Sequence, residues 1–364
     1  MANEDPFSPL QVHTGRGVAS NLAGRFVHHV STRESDGWET DIESLERLVT
    51  ETIEEKAKSI IATNNSPDLP FSQSINPYRG CEHGCVYCYA RPAHAYVDLS
   101  PGLDFESRLF FKANAAALLE QTLRKPGYQC SPIALGSNTD PYQPLEKQKR
   151  ITRQLLEVMQ RFRQPVTIVT KGQLVLRDLP LLAEMAQDNL CQVAISVTTL
   201  DRDLKRRLEP RTAGPAARLR TLEALSAAGI PTAVMAAPII PALNDSELEA
   251  ILEASADAGA SQAAYILLRL PHEVAPLFRQ WLEVHYAERA AHVMSIVQQS
   301  RGGRDYQSDF SQRQTGTGVF AQLLQQRFRV AIRKLGLNRR KLKLDCSRFQ
   351  PPAAPGDQGD LFSL

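Results

Sequence analysis

The sequence predicts an α/β fold built on a parallel sheet. Three observations carry this. Short apolar, β-rich runs recur through the middle of the chain, segments of helical period separate them, and glycines stand where two of those helices should stop. Strand–helix alternation implies parallel pairing, because each strand then needs a crossover to reach the next. In such a sheet the chemistry gathers at the C-terminal ends of the strands. The residues just after each apolar run are therefore the candidates for function.

Residues 1–70 are polar, and the pattern around Ile42–Lys58 is helical, preceded by a capping signal at Thr40, Asp41 and Glu43. This stretch reads as an N-terminal helical extension covering part of the core. From Phe71 the strand–helix rhythm begins. Strands are expected at Pro132–Leu135, Val166–Val169, Val193–Val197, Thr232–Met235 and Ala263–Leu268. Helices are expected at Leu109–Leu123, Lys147–Phe162, Pro180–Gln187, Ala217–Ala228 and Ser246–Ala258, with Gly229 and Gly259 closing the last two. Counting the segment before the first cysteines as a strand gives about six βα units over residues 71–270. Beyond Pro271 the pattern turns helical and charged, a C-terminal extension over 271–350, and residues 351–364 are Pro-, Ala- and Gly-rich and read as a tail.

Composition narrows the class. Hydrophobic residues make up 43% of the 364, enough for a substantial core, and the net charge of +2 selects no partner. The first residues lack the apolar core of a signal peptide, and no apolar run is long enough for a bilayer. A cytoplasmic, reducing environment and no membrane partner are the resulting expectations.

Six cysteines are present, and three of them, Cys81, Cys85 and Cys88, crowd into one glycine-containing loop. In a reducing compartment that crowding favours a metal site over a disulfide framework. Thiolates are soft ligands suited to zinc or to iron–sulfur clusters. Three of them can hold three irons of a [4Fe–4S] cubane and leave the fourth open. The competing reading is a structural zinc site with His83 or a distant cysteine completing it. Zinc sites usually carry a second ligand pair at similar spacing, and this chain has none.

Cys81-x3-Cys85-x2-Cys88, with Tyr87 just before the last cysteine and a βα series following, resembles the signature of the radical S-adenosylmethionine (SAM) superfamily. The resemblance implies a partial (βα)6 barrel of the TIM type. It also implies a [4Fe–4S] cluster, SAM chelated on the open iron, and reductive cleavage to a 5′-deoxyadenosyl radical that abstracts hydrogen from a substrate. A one-electron reductant such as a flavodoxin or ferredoxin is implied as partner. Cys85-Val86-Tyr87-Cys88-Tyr89-Ala90, together with Asp140, Lys171 and Ser196, is similar to the spore photoproduct lyase branch. On that likeness Thr139 and Ser196 supply hydroxyls to SAM, Lys171 pairs with its carboxylate, and Ala236 and Pro238 lie near the adenine. Tyr87 and Tyr89 would pack on the nucleoside.

One position departs from that branch. The photoproduct lyases carry a hydrogen-donating cysteine where this chain has Ser137. A hydroxyl is a far poorer hydrogen-atom donor than a thiol, so the lyase reaction itself is not expected. The alternative from another class is a non-catalytic iron–sulfur protein that senses redox state or binds a partner.

The remaining features are second-rank. Residues 301–343 carry Arg301, Arg304, Arg313, Arg327, Arg329, Arg333, Lys334, Arg339, Arg340, Lys341 and Lys343 against Asp305 and Asp309. From Arg327 to Lys343 these cations alternate with apolar positions. That pattern reads as an amphipathic helix with a solvated basic face or as a nucleic-acid-binding surface. Glu209-Pro210-Arg211 after the fourth strand is a further candidate for a substrate or SAM contact. Cys130, Cys191 and Cys346 read as structural thiols.

Overall fold

The computed structural model describes residues 15–26 and 48–353. Six parallel strands form its main sheet: β1 (Gln73–Ile75), β2 (Ile133–Leu135), β3 (Val166–Thr170), β4 (Cys191–Ser196), β5 (Thr232–Ile239) and β6 (Gln262–Leu267). They lie side by side in sequence order, and Ala62–Thr63 adds an antiparallel edge beside β1. β6 and β1 are not paired, so the barrel is open.

Helices α1 (Ala115–Leu123), α2 (Ile151–Arg161), α3 (Leu179–Gln187), α4 (Pro215–Ala227) and α5 (Leu248–Asp257) cross over between successive strands. Their apolar faces bury Leu119, Leu155, Leu182, Leu222 and Ile251 against strand residues Ile133, Ile168, Val193 and Val234 in one continuous core. The strands are apolar on both faces, as buried parallel strands are. Two C-terminal helices follow, α6 (Val274–Gln299) and α7 (Gly318–Leu335). α7 packs Phe328 on Tyr265 of β6, with ring centroids 4.8 Å apart.

Two expected helices are corrected. Within the described part of Ile42–Lys58, Glu51–Glu54 is a strand, and no helix occurs among the described residues before Phe71. The proposed cap at Thr40, Asp41 and Glu43 lies outside the described residues. The β-branched Thr52 and Ile53 favour extension, and the segment pairs in parallel with Arg108–Phe111, Glu51 opposite Arg108. That same pairing takes the first residues of the expected Leu109–Leu123 helix. Arg108–Phe111 is a strand of alternating burial, antiparallel to Tyr78–Arg79 at the start of the cysteine loop. Period two overrides period three and a half here, and the small second sheet braces the loop from outside.

The basic stretch has a definite place. Asn338, just past α7, exchanges two hydrogen bonds with the Ala263 backbone, at 2.8 and 2.9 Å, and Gln262 donates to the Arg340 carbonyl at 3.2 Å. Residues 338–343 therefore sit at the N-terminal end of β6. Among the described residues no helix is long and apolar enough to cross a membrane.

Candidate cluster and cofactor site

The cysteine loop follows β1. Gly80 and Gly84, on either side of Cys81, adopt left-handed backbone with φ of 78° and 68°. A Cβ at Gly80 would meet Leu109 Cδ2 at 2.7 Å, and one at Gly84 would meet Glu106 Oε2 at 2.7 Å, so the course of the loop requires glycine at both. Arg91, fully buried, donates from Nε to the Cys85 carbonyl at 3.0 Å and pairs with buried Glu106. Glu106 in turn accepts from the Gly17 N–H at 2.9 Å. The Cys81 N–H donates to the Phe105 carbonyl at 2.9 Å. The loop is thus fixed through its backbone, and the side chains of the three cysteines are left to face inward.

All three thiols line one cavity, bounded by residues at the C-terminal ends of β2 to β6. Asn138 and Asp140 come from the end of β2, Thr170 and Lys171 from β3, Ser196 from β4, Ala237 and Pro238 from β5, and Arg269 from just beyond β6.

The donor set fits a cluster better than a single ion. Burial pushes all three thiols above their ordinary pKa, so a thiolate here is favoured by the positive charge of a bound metal. Among the described residues no three His, Cys, Asp or Glu side chains converge closely enough for one metal ion. A cubane spreads its thiolates over separate irons and needs them farther apart. His83 turns Nδ1 toward Asp140 Oδ2 at 3.3 Å. No fourth thiol lines the cavity. Cys191 lies buried at the start of β4, Cys130 precedes β2 beside Gln164, and Cys346 follows Asp345, which is bonded to Asn189 just before β4. All three belong to the opposite end of the sheet.

Of the cofactor residues predicted from sequence, Tyr87, Tyr89, Lys171, Ser196 and Pro238 lie on the cavity wall. Lys171 is half-buried, with Nζ 5.9 Å from the centroid of the Tyr87 ring. Its backbone N–H donates to Asp140 Oδ2 at 2.8 Å, and the Thr170 hydroxyl to Asp140 Oδ1 at 2.6 Å. Burial alone would raise the Asp140 carboxyl, but His83, Thr170 and the Lys171 N–H outweigh it and hold it at about 2. Ser196 is buried and donates to the Ala237 carbonyl at 3.2 Å.

Thr139 and Ala236 are not on the wall. The Thr139 hydroxyl points away and donates to the Tyr78 carbonyl at 3.0 Å, while Asn138 and Asp140 on either side face the cavity. Ala236 belongs to the apolar core, because side chains alternate along β5 and place Ala237 on the cavity side.

Behind Tyr87 lies a network that sequence reasoning glimpsed only at Glu209. The buried Glu209 carboxylate accepts from the Tyr87 phenol and from Thr198 Oγ1, the latter at 2.7 Å, and pairs with buried Arg218. Burial would raise Glu209, yet Arg218 and Lys171 overcome it and bring it to about 2. Arg218 went unread, since nothing in an amphipathic helix marks one arginine as buried. Arg269 could have been found by examining the residue beyond the last apolar run.

A family model described as the radical SAM superfamily matches residues 75–254, the span that holds the three thiols, Lys171 and Ser196. The chain belongs to the radical SAM superfamily. The cofactors of that superfamily are a [4Fe–4S] cluster and SAM. Among relatives of this radical SAM chain is the uncharacterized protein Rv2578c of Mycobacterium tuberculosis, 41% identical over 220 residues, which are 60% of this chain and 65% of that protein. The match thus spans less than two thirds of that relative. The uncharacterized protein MJ0683 of Methanocaldococcus jannaschii is 30% identical over 197 residues, covering 54% and 71%. Among solved structures, spore photoproduct lyase complexed with dinucleoside spore photoproduct superposes with a TM-score of 0.52 at 14% identity, covering 79% of this chain and 80% of that one. That likeness is one of fold.

Proposed function

We propose that this radical SAM enzyme holds its cluster on Cys81, Cys85 and Cys88 and cleaves SAM in the adjoining cavity. The observation that carries the reading is the convergence of those three thiols with Lys171 and Ser196 on one cavity. When bound, the cluster and SAM together supply a hydrogen-abstracting 5′-deoxyadenosyl radical. An external one-electron donor of the flavodoxin or ferredoxin class completes the requirement.

The chain's own residues position and exclude. Lys171 offers an ammonium to the SAM carboxylate, a charge-assisted contact. Asp140 fixes the backbone that carries Lys171. Ser196 and Asn138 offer polar side chains to the amino group or ribose. Tyr87, held by Glu209, presents its ring to the nucleoside. Ala237 and Pro238 give the adenine an apolar wall. The substrate is separate from these contacts and enters past Tyr89 and Arg269. A nucleic acid would have to approach by that mouth, because residues 338–343 of the basic stretch lie at the far end of the sheet. With serine at position 137 and no thiol on the wall besides the three ligands, a photoproduct lyase reaction is not supported. A closed redox-sensing cluster would have no use for the cavity beside it.

The test is anaerobic reconstitution with iron and sulfide, followed by SAM and dithionite. Wild-type protein should release 5′-deoxyadenosine and methionine. Cys85→Ala should lose both the product and the iron–sulfur absorbance. An intact cluster that yields no 5′-deoxyadenosine would overturn the proposal.

A further inference from the structure

At the cavity mouth, opposite the Lys171 side, one cation lacks a counter-charge. Arg269 stands two residues beyond β6 and lines the same cavity as the thiols. Its guanidinium lies 5.1 Å from the ring centroid of Tyr89 and 5.9 Å from that of Tyr306. Nη2 reaches the Tyr306 hydroxyl at 3.3 Å and Nη1 the Gln314 amide oxygen at 3.5 Å, both long, and Nε is buried without any partner. Among the described residues no carboxylate pairs with it.

The surroundings add to the imbalance. Arg301 is buried and donates to the carbonyls of Leu267, Leu268, Gln312 and Arg313 at 2.8–3.0 Å, again with no carboxylate among the described residues. Burial and the nearby Arg269 lower its pKa to about 10. Arg313 does have a partner, Asp68. Three guanidiniums therefore share one carboxylate. A half-buried cation without a partner is costly to hold, and an incoming anion relieves that cost. The wall is also rigid. Arg301 ties residues 312–313 to the end of β6. At Gly316, with φ of 75°, a Cβ would meet Leu267 Cδ2 at 2.6 Å.

We propose that Arg269 and Tyr306 form a phosphate-binding subsite for the substrate at the mouth of the cavity. The inference rests on the reading of that cavity as the SAM site. The uncompensated charge of two guanidiniums matches a doubly charged phosphate better than a single carboxylate. The guanidinium fork and the phenol hydroxyl are donors that a phosphate accepts from readily. The SAM carboxylate is not the intended anion, because β3 and β6, which carry Lys171 and Arg269, are three strand spacings apart in the sheet, roughly 14 Å. Tyr89 and Tyr306 flank the guanidinium, and a phosphate binding it would replace the long contacts that Nη1 and Nη2 now make to Gln314 and Tyr306.

The probe is inorganic phosphate, measured by anaerobic equilibrium dialysis on cluster-reconstituted protein saturated with SAM. Wild-type protein should bind phosphate saturably below about 10 mM, and more weakly as salt rises. Arg269→Gln should weaken binding about tenfold or more, Tyr306→Phe by about two- to fivefold, and Arg269→Lys by an intermediate factor. Cluster content and melting temperature check that each variant is folded. Should Arg269→Gln fail to fold, the graded losses in Arg269→Lys and Tyr306→Phe decide the matter. The proposal is overturned by absence of saturable phosphate binding, by equal binding in the folded variants, or by loss of SAM affinity in place of phosphate affinity. Formation of 5′-deoxyadenosine by wild-type protein with no phosphate binding would sink this inference alone and leave SAM cleavage standing.

Discussion

The Tyr87 phenol donates its hydrogen bond to Glu209, 122 residues further along the chain, inside the wall of the cluster cavity. Glu209 also neutralises Arg218, so one carboxylate fixes an aromatic ring beside the cluster loop and satisfies a fully buried cation. Glu209→Ala leaves that cation uncompensated and should cost about 3–5 kcal/mol of stability by urea denaturation. Glu209→Gln, which keeps the shape but not the charge, should recover only part of it. Wild-type stability in Glu209→Ala would show that the network holds nothing together.

Lys171→Ala should raise the dissociation constant for SAM about tenfold or more while leaving iron content and cluster absorbance intact. Isothermal titration on reconstituted protein measures the first and iron analysis the second. Unchanged affinity would remove Lys171 from the site.

Gly84→Ala strains a left-handed residue and drives a methyl group into Glu106 and Pro210. It should destabilise the protein by about 1–3 kcal/mol and lower the iron retained after reconstitution. Full iron loading with an unshifted melting temperature would contradict the geometry assigned to the loop.

Asn244 joins the ends of β4 and β5. Its side-chain oxygen accepts from the Ile240 N–H at 2.6 Å, and its amide donates to the carbonyls of Thr198 and Pro238 at 2.6 and 3.0 Å. Asn244→Ala orphans three buried backbone groups and should cost at least about 2 kcal/mol. Thermal denaturation of the variant is the check, with Asn244→Asp expected to recover little because it cannot donate.

Asp140 supplies a pH dependence. Its carboxyl is held at about 2, below the ordinary 3.8, so the folded state binds the proton more weakly than the unfolded chain does. The stabilisation is therefore fully present above about pH 4 and is lost as pH falls toward 2. Urea midpoints between pH 6 and pH 3 should fall for wild-type protein and fall less steeply for Asp140→Asn. Parallel curves would show that the His83–Asp140 pair contributes nothing to acid sensitivity.

Much of this was legible in the sequence because the signals were local. The three cysteines and the apolar runs stand at fixed offsets, whereas Lys171 and Ser196, which line the cavity beside the thiols, were named through the resemblance to the spore photoproduct lyase branch. What was missed depended on long-range pairing. Glu51–Glu54 becomes a strand only because Arg108–Phe111 lies beside it, and Arg218 is buried only because Glu209 meets it across a helix. Thr139 and Ala236 lie off the cavity wall for a finer reason. Proximity to a strand end does not say which face a side chain takes, and one residue's shift along the backbone moves it from the cavity to the core.

The placement of residues 338–343 at the foot of β6 divides the molecule into two poles. A six-residue strand separates them by roughly 20 Å. A polyanion gripping the lower pole would hold the protein without shadowing the thiol-lined cavity at the other. Retention on heparin would then coexist with undiminished SAM turnover, and affinity for a polyanion would say nothing about which molecule loses its hydrogen atom.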